Sequence, residues 1–395
     1  MIVQQATKRI KLDESENEDR LSDLPEFVIL HIMSFLSVEY AVRTCILSTR
    51  WKDLWKRLPG LTMRSNEFRS YKIFNKFVSK VLSLRDSSIA LESLDFRHIG
   101  SVQPRLLKRI LNCVGSHIVQ RLELKVQCDI EQIKHKIFSC QNLTFLNLWV
   151  YPGLCKEKPL FPKSISLPAL TTLHLGSFAF CASDNNAHAE PFSAFNRLNT
   201  LVLRQCCVRD TLTLCISSAT LVNFRLYDHT YDFYEIEFCT PSLGTFSFTG
   251  EPYQKLSGRS LANVKHVTID ARVLSLQMEP PQFLLNWLLE LAYTKSLTVT
   301  ASTLQVLSLN ADLLKTKLPS LGNLKFLKVK KEPLQDLFLK SLFQDKLQKI
   351  KSRKEAANLR RSFKAGLEPF APIPDGIVEF LIQNSPSAEV EIVDC

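Results

Sequence analysis

The sequence predicts an α/β protein with two unequal parts, a small three-helix module and an irregular solenoid with a parallel β-sheet on its concave face. Two observations support this prediction. Residues 20–60 hold three short segments with apolar residues at helical spacing, and residues 90–330 repeat an L-x-x-L-x-L pattern. With 395 residues, the chain is long enough for a small module followed by an elongated repeat array.

The first 19 residues contain few large apolar side chains, which predicts a disordered tail. Within them, Lys8, Arg9 and Lys11 form a short basic run that resembles a nuclear import signal. An acidic tract follows at residues 13–19, and a solvated tail without any targeting role would carry similar charges. We therefore expect the protein in the nucleus, the cytoplasm or both.

The module at residues 20–60 reads RLSDLPEFVILHIMSFLSVEYAVRTCILSTRWKDLWKRLPG. Pro25 suits the first position of a helix, and Ser37 and Ser48 suit the N-caps of a second and a third helix. Pro59-Gly60 ends the third helix. Apolar residues at i, i+3, i+4 and i+7 form one face of the first helix and one of the third: Ile29, Ile32, Met33 and Leu36, then Trp51, Leu54, Trp55 and Leu58.

A module of this size buries little of its own apolar surface. Leu24, Phe27, Val28 and Leu30 lie outside the main apolar face of the first helix, so this helix needs cover on two sides. A partner helix bundle would supply that cover. An ordinary helical hairpin at the edge of a larger domain shows the same periodicity, so periodicity alone leaves both interpretations open.

The module carries four short runs in order and without a gap: Leu24-Pro25, Ile32…Phe35-Leu36, Arg43…Leu47-Ser48 and Arg50-Trp51…Leu54-Trp55. This arrangement resembles an F-box. The resemblance implies a docking module that binds a Skp-type linker protein and, through it, the cullin of a ubiquitin ligase. It also implies six contact residues for that linker: Leu24, Pro25, Ile32, Leu36, Leu47 and Trp51. We expect Trp55 in the core instead.

A helical linker is predicted at residues 61–89, because its aromatic and aliphatic residues share one helical face. The repeats follow at residues 90–330. Their clearest copies are spaced by 21 to 28 residues, which is the range of leucine-rich repeats. These copies begin at Leu143, Leu170, Leu198, Leu221, Leu243 and Val264.

Each L-x-L is predicted to form a short strand, and stacking of the strands in parallel buries their leucines in one continuous core. In the best copy, Cys206 occupies the position where a small polar group bonds the backbone at the turn. Side chains that alternate with the leucines should point outward and face a target protein of unknown identity. The candidates are Asn147, Trp149, His174, Arg204, Arg225 and Tyr227.

Residues 264–330 fit the repeat less well. Pro281 opens a predicted helix over 282–292, a strand is predicted at 295–300, and Leu304, Leu307, Ala311 and Leu314 have helical spacing. Leu304, Leu307 and Leu309 could instead form another repeat, but strand–helix–strand matches the helix at 282–292 better.

Residues 331–395 are predicted to form a basic helical cap with a final helix from Pro374 and a final strand at 388–393. Residues 325–364 hold thirteen Lys and Arg against four acids. Such a segment suits nucleic acid or an acidic target, although a solvated helical face has the same composition. Because no series of aromatic residues accompanies the charge, nucleic acid is not the expected partner.

The sequence contains no G-x-S-x-G, H-E-x-x-H, P-loop or G-x-G-x-x-G motif. Its eleven cysteines show no C-x-x-C spacing, so free thiols are expected and no metal or cofactor is predicted. No run of 18 uncharged apolar residues occurs, and no membrane association is expected. The sequence thus predicts no catalytic residues.

The overall layout resembles plant F-box/leucine-rich-repeat proteins. The resemblance implies a non-catalytic adaptor of a Skp–cullin–F-box (SCF) E3 ubiquitin ligase, in which the F-box binds the linker and the repeats bind the target. Two alternatives remain from the sequence. One is an F-box scaffold that works without a ligase, and the other is a nuclear nucleic-acid-binding protein that uses the basic C-terminal segment.

Overall fold

A computed structural model describes residues 23–116, 118–151, 157–163, 165–182, 188–228, 234–272, 280–309, 321–331, 357 and 373–394. Over these residues, a short helical module precedes a large sheet in which every pair of neighbouring strands is parallel. The predicted α/β fold class is confirmed. The helices are α1 (Glu26–Ser34), α2 (Val38–Arg43), α3 (Tyr71–Leu84), α4 (Pro104–Ser116), α5 (Glu131–Ile137), α6 (Pro280–Glu290), α7 (Ala301–Ser308) and α8 (Ile377–Ile382).

The large sheet has twelve strands within the described ranges, and their spatial order follows the chain. They are β1 (Gly60–Arg64), β2 (Ser93–Ser101), β3 (Arg121–Gln127), β4 (Phe145–Val150), β5 (Thr172–Gly176), β7 (Thr200–Arg204), β10 (Asn223–Asp228), β12 (Thr245–Gly250), β14 (His266–Ala271), β15 (Ser296–Thr300), β16 (Phe326–Lys331) and β17 (Glu389–Asp394). Two small parallel sheets contain β6 (Ala179–Cys181) with β8 (Cys207–Arg209), and β9 (Thr213–Ser217) with β11 (Glu235–Cys239) and β13 (Lys255–Ser257).

The module differs from the prediction in its third helix. Residues 48–53 form turns, and a single 3-10 turn at Leu54–Arg57 follows. Asp53 has a φ of 72°, a left-handed conformation that an α-helix does not tolerate. Trp51, Leu54 and Leu58 are nevertheless buried, so their helical spacing is satisfied by successive turns instead of by a continuous helix.

The sheet begins earlier than predicted. β1 lies inside the predicted helical linker and pairs with β2, so the first strand of the repeats starts at residue 60 and not at 90. The five residues of β1 direct only Leu61 and Met63 inward, which is too short a pattern to recognise in the sequence. The rest of the predicted helical linker at residues 61–89 contains α3. Ser70 Oγ caps the N-terminus of α3 by accepting a hydrogen bond from the Ile73 amide at 3.4 Å.

The predicted repeat pattern is confirmed in the core. Along each strand buried leucines alternate with partly exposed residues; in β4, for example, Leu146 and Leu148 are fully buried. The Cys206 thiol is buried and lies 3.7 Å from the Leu175 carbonyl oxygen and 3.5 Å from that of Arg204. It therefore bonds the backbone at the turn, as its place in the repeat predicts.

The elements opposite the main strands change along the chain. Helices α3 to α5 accompany the early strands, the two small sheets accompany the middle ones, and α6 and α7 accompany the late ones. The L-x-x-L-x-L pattern does not extend over β9, β11 and β13, so the sequence did not predict these strands.

The end of the array agrees with the strand–helix–strand interpretation, since α7 follows β15 directly and contains Leu304 and Leu307, while Ala311 and Leu314 lie outside the described residues. Thr300 Oγ1 caps α7 by accepting a hydrogen bond from the Thr303 amide at 3.3 Å. The predicted final helix and strand are α8 and β17, and β17 closes the sheet against β16. Most of the basic segment at 325–364 lies outside the described residues.

Candidate binding surfaces

The N-terminal module packs its inner side into the same apolar core as the sheet. Ile29 and Met33 of α1 and Ala41 of α2 are fully buried, and α2 contacts β1. An ion pair between Arg57 and Glu26 connects the 3-10 turn to α1. The sheet thus covers the inner side of the module, and its outer side remains accessible to a partner.

This outer side exposes large apolar side chains. Phe27, Phe35 and Ile46 are 73%, 77% and 87% exposed. Phe27, His31 and Phe35 follow one another at intervals of four residues, and the rings of His31 and Phe35 meet edge to face at 5.0 Å. We call this the apolar outer surface: Phe27, Ile32, Phe35, Tyr40, Ile46 and Leu47.

A concentration of exposed apolar side chains on a small module indicates a protein-binding site, because leaving it in water is unfavourable. Two of the predicted linker contacts, Ile32 and Leu47, belong to this surface, and Pro25 is also exposed. Leu24 and Leu36 are half-buried beside it.

The sixth predicted contact, Trp51, differs from the other five because it is buried. Trp51 is 4% exposed and its side chain lies in the core, because the turns before Leu54–Arg57 direct it inward. Trp55 lies in the core, as expected. Phe27, Phe35 and Ile46 were not among the predicted contacts with the Skp-type linker. Their position outside the buried helical faces was the sequence feature that could have indicated them.

The outward face of the large sheet is the second candidate surface. The parallel register aligns its side chains in rows across the strands. One row runs through Glu123, Asn147, His174, Val202 and Arg225, and the next through Lys125, Trp149, Gly176, Arg204 and Tyr227. The structure therefore brings all six predicted target-facing residues onto one face of four neighbouring strands, β4, β5, β7 and β10.

The acidic groups at the start of this face are already paired. Arg97 bonds Asp95 at 2.7 Å and Glu123 at 2.8 Å, and Arg64 bonds Asp95 at 3.2 Å. Asn147 Nδ2 donates a further hydrogen bond to Glu123 at 3.0 Å. These carboxylates are satisfied by contacts within β1 to β4.

Four cations follow on β3, β7 and β10. Within the described residues, Arg121, Lys125, Arg204 and Arg225 form no ion pair with a carboxylate. Three of them instead cover aromatic rings, each measured to the ring centroid: Arg204 over Tyr227 at 3.7 Å, Arg121 over Phe145 at 4.1 Å and Lys125 over Trp149 at 5.4 Å. We call these four cations and His174 the basic patch.

Trp149 depends on the glycine beside it. A Cβ atom at Gly176 would lie 2.5 Å from the Trp149 ring, so only glycine lets the indole lie across β5. The indole Nε1 donates a hydrogen bond to Ser177 Oγ at 3.0 Å, and the ring stacks on Tyr151 with centroids 5.5 Å apart. These contacts hold Trp149 in a fixed orientation under Lys125.

His174 lies at the centre of the basic patch, where Phe145 meets its ring edge to face at 5.1 Å. Burial, followed by the cations Arg204 and Arg225, lowers the pKa of His174 to about 4. Burial and then the charge of Arg97 lower the pKa of Lys125. Burial is the larger cause of both shifts and the neighbouring cations add to it, while Glu123 and Asp95 oppose the shift of Lys125.

The proposed import residues Lys8, Arg9 and Lys11 lie outside the described residues. Within the described ranges, no group of three or more His, Cys, Asp or Glu side chains is placed to hold a metal ion. None of the described helices is long and apolar enough to cross a bilayer.

Comparison with known proteins identifies the module. Residues 21–62 match the F-box domain family. An FBD-associated F-box protein of Arabidopsis thaliana is 32% identical over 164 residues, covering 40% of this chain and 34% of that protein. An F-box/FBD/LRR-repeat protein from the same plant is 28% identical over 231 residues, covering 55% and 48% of the two chains.

A further F-box/FBD/LRR-repeat protein of Arabidopsis thaliana is 24% identical over 336 residues, which are 76% of this chain and 69% of that protein. The chain spans about half or less of the length of the first two relatives. Together these matches confirm the F-box and the resemblance to plant F-box/leucine-rich-repeat proteins.

Proposed function

We propose that this F-box protein with leucine-rich repeats is the target-recognition adaptor of an SCF-type E3 ubiquitin ligase. The observation that carries the proposal is the apolar outer surface, which lies on a module identified as an F-box and is separate from the sheet face. The F-box would bind a Skp-type linker and, through it, a cullin, while the sheet face would bind the target protein.

The proposed contacts with the linker follow from exposure. Pro25, Ile32 and Leu47 would contact it directly, with Leu24 and Leu36 at the margin. Phe27, Phe35 and Ile46 extend the same apolar surface. Trp51 would act from the core, by supporting the turns that present Leu47.

The proposed mechanism is tethering, without chemistry in this chain. An adaptor bound to both partners raises the effective concentration of the target near the ubiquitin-transferring subunits. The target would lie across Asn147, Trp149, His174, Arg204, Arg225 and Tyr227, the outward residues of the central strands. The adaptor would work in the nucleus, the cytoplasm or both, with Lys8, Arg9 and Lys11 directing import.

Co-expression with a plant Skp-type linker, followed by size exclusion with light scattering, tests the proposal. Wild type should elute as a one-to-one complex, and Ile32→Asp/Leu47→Asp should elute alone, because a buried unpaired carboxylate is costly at an apolar interface. Ile99→Asp/Leu212→Asp is the matched control, since both residues are exposed on the repeats. The docking role would be overturned if the folded wild-type chain did not bind the Skp-type linker, or if the control variant lost the complex to the same extent as Ile32→Asp/Leu47→Asp.

Recovery of cullin separates the ligase from an F-box scaffold. Adding cullin to the purified complex should give a ternary complex that depends on the linker. If the linker binds but cullin is excluded, the scaffold function is the correct one.

A further inference from the structure

We infer that the basic patch on the outward face of the sheet binds an acidic peptide segment of the target protein. This inference rests on the proposed adaptor function and adds the chemistry of the target.

The basic patch is complementary in charge to an acidic ligand. The patch presents four cations without a carboxylate partner among the described residues, whereas the nearest acids, Asp95 and Glu123, are already bound to Arg64 and Arg97. Arg121 and Arg225 are exposed, and Lys125 and Arg204 are half-buried, so all four reach solvent. Carboxylates of a partner would form charge-assisted hydrogen bonds with these donors.

The dimensions of the patch define the length of the segment. The cations extend from β3 to β10, which are separated by four strand spacings, or about 19 Å. An extended peptide rises about 3.3 Å per residue, so about six residues would cross the patch. A segment with acidic residues along this length would meet cations at both ends and His174 between them.

The aromatic residues distinguish a peptide from nucleic acid. Binding of single-stranded nucleic acid needs free ring faces on which bases stack. Here Arg204, Arg121 and Lys125 already lie over the rings of Tyr227, Phe145 and Trp149. The rings hold the cations in place, and the guanidinium and ammonium donors remain available at their edges for carboxylates.

The strands beyond β10 limit the patch on one side. Their outward residues in the same rows are Ser247, Thr249 and Thr268, which carry hydroxyl groups, and Asp270, which forms an ion pair with Arg272 at 3.0 Å. The lowered pKa values of His174 and Lys125 support the same conclusion, because an anion at this position would stabilise both charged forms.

The test measures binding of a fluorescent peptide of about twelve residues, rich in Asp and Glu, to the full chain in complex with the Skp-type linker. The same peptide with Asn and Gln in place of the acids, and an oligothymidylate of similar length, are the comparison ligands. Arg204→Glu/Arg225→Glu reverses two charges of the patch. Lys76→Glu/Lys80→Glu makes the same change on α3, at exposed residues that form no ion pair within the described part of the chain.

We expect the acidic peptide to bind at least about tenfold more tightly than the neutral one, and more weakly as salt rises. Arg204→Glu/Arg225→Glu should weaken it at least about tenfold, with little change for the α3 control. Equal affinity for the two peptides, equal loss in both variants, or tighter binding of the oligonucleotide would overturn the inference. Because the linker complex is isolated first, failure of the adaptor function would be seen separately, as failure of that complex to form.

Discussion

The F-box module and the repeat sheet offer partners opposite kinds of surface. The module exposes Phe27, Phe35 and Ile46 to solvent, while its buried side chains join the core of the sheet. The sheet buries its leucines completely and exposes charged and aromatic residues, with Arg204 and Arg225 at the centre. The apolar outer surface of the module would bind its partner through hydrophobic contacts, and the outward face of the sheet would bind its partner through charged groups.

This difference has consequences for partner choice. Binding through apolar contacts depends weakly on salt and suits a partner that is always the same. Binding through a charged face becomes weaker as salt rises, and it selects partners by their pattern of charges. The comparison predicts that changes in one region should leave binding at the other intact. Four experiments test this division.

The largest effect is expected from core truncation. Trp51→Ala should destabilise the module by about 3–5 kcal/mol, and Leu201→Ala should destabilise the sheet by about 2–5 kcal/mol. Hydrogen exchange should rise over residues 24–58 in the first variant and across β5, β7 and β10 in the second. Linker binding should restore protection only for Trp51→Ala. Equal loss of protection in β7 for both variants would show that module and sheet unfold as one unit.

The next effect concerns the apolar outer surface. Phe35→Asp should weaken linker binding by about 2–4 kcal/mol, because an aromatic side chain at the centre of an apolar interface contributes strongly. Its free energy of unfolding should change by less than about 0.5 kcal/mol, since Phe35 is exposed. Calorimetric titration with the linker measures the first quantity and urea unfolding the second. Ile99→Asp serves as the control, and an equal loss of affinity there would contradict the assignment.

A smaller effect is expected from Gly176→Ala. The added Cβ would lie 2.5 Å from the Trp149 ring, so the indole must move, at a cost of about 1–3 kcal/mol. Tryptophan fluorescence should report the movement, and the acidic peptide should bind more weakly because Lys125 loses the ring beneath it. Linker affinity should stay unchanged. An unaltered emission spectrum with normal peptide binding would show that Trp149 does not position Lys125.

The smallest effect is a pH dependence through His174. Its folded pKa of about 4 lies below the ordinary value, so the unfolded chain binds the proton more readily. Stability from the neutral ring is therefore present above about pH 6.5 and lost as the pH falls toward 4. The cations Arg121 and Lys125 on β3, Arg204 on β7 and Arg225 on β10 cause part of this shift, whereas Glu123 is held by Arg97.

His174→Gln should remove about 1 kcal/mol of the difference in unfolding free energy between pH 7 and pH 5, once solvent screening is allowed for. Urea unfolding at the two pH values measures it. A variant with the same pH dependence as wild type would show that His174 is not the titrating group.

Much of the fold could be predicted because the repeat has a clear period. The inward leucines set the strands, and the residues between them set the outward face; that Asn147, His174 and Arg225 share one row follows from the strand register. The first strand was missed because β1 holds only Leu61 and Met63 as inward residues. The small sheets were missed because the leucine pattern does not continue over them.

The surfaces were less predictable than the strands. Trp51 has the same helical spacing as Leu54 and Trp55, and all three are buried, although the left-handed Asp53 interrupts the predicted helix. The pairing of Arg97 with Asp95 and Glu123 depends on cross-strand register; within the described ranges, four other cations form no ion pair with a carboxylate. No local sequence pattern specifies which of several arginines forms the ion pairs with Asp95 and Glu123.

The division between the two surfaces is tested most directly by a binding matrix. Affinities for the Skp-type linker and the acidic peptide would be measured on wild type, Ile32→Asp/Leu47→Asp and Arg204→Glu/Arg225→Glu by biolayer interferometry. Each double variant should lose only its own ligand and bind the other within about twofold of wild type, because distant sites contribute independently. A variant that loses both ligands while remaining folded would contradict the account, since it would place both partners on one surface.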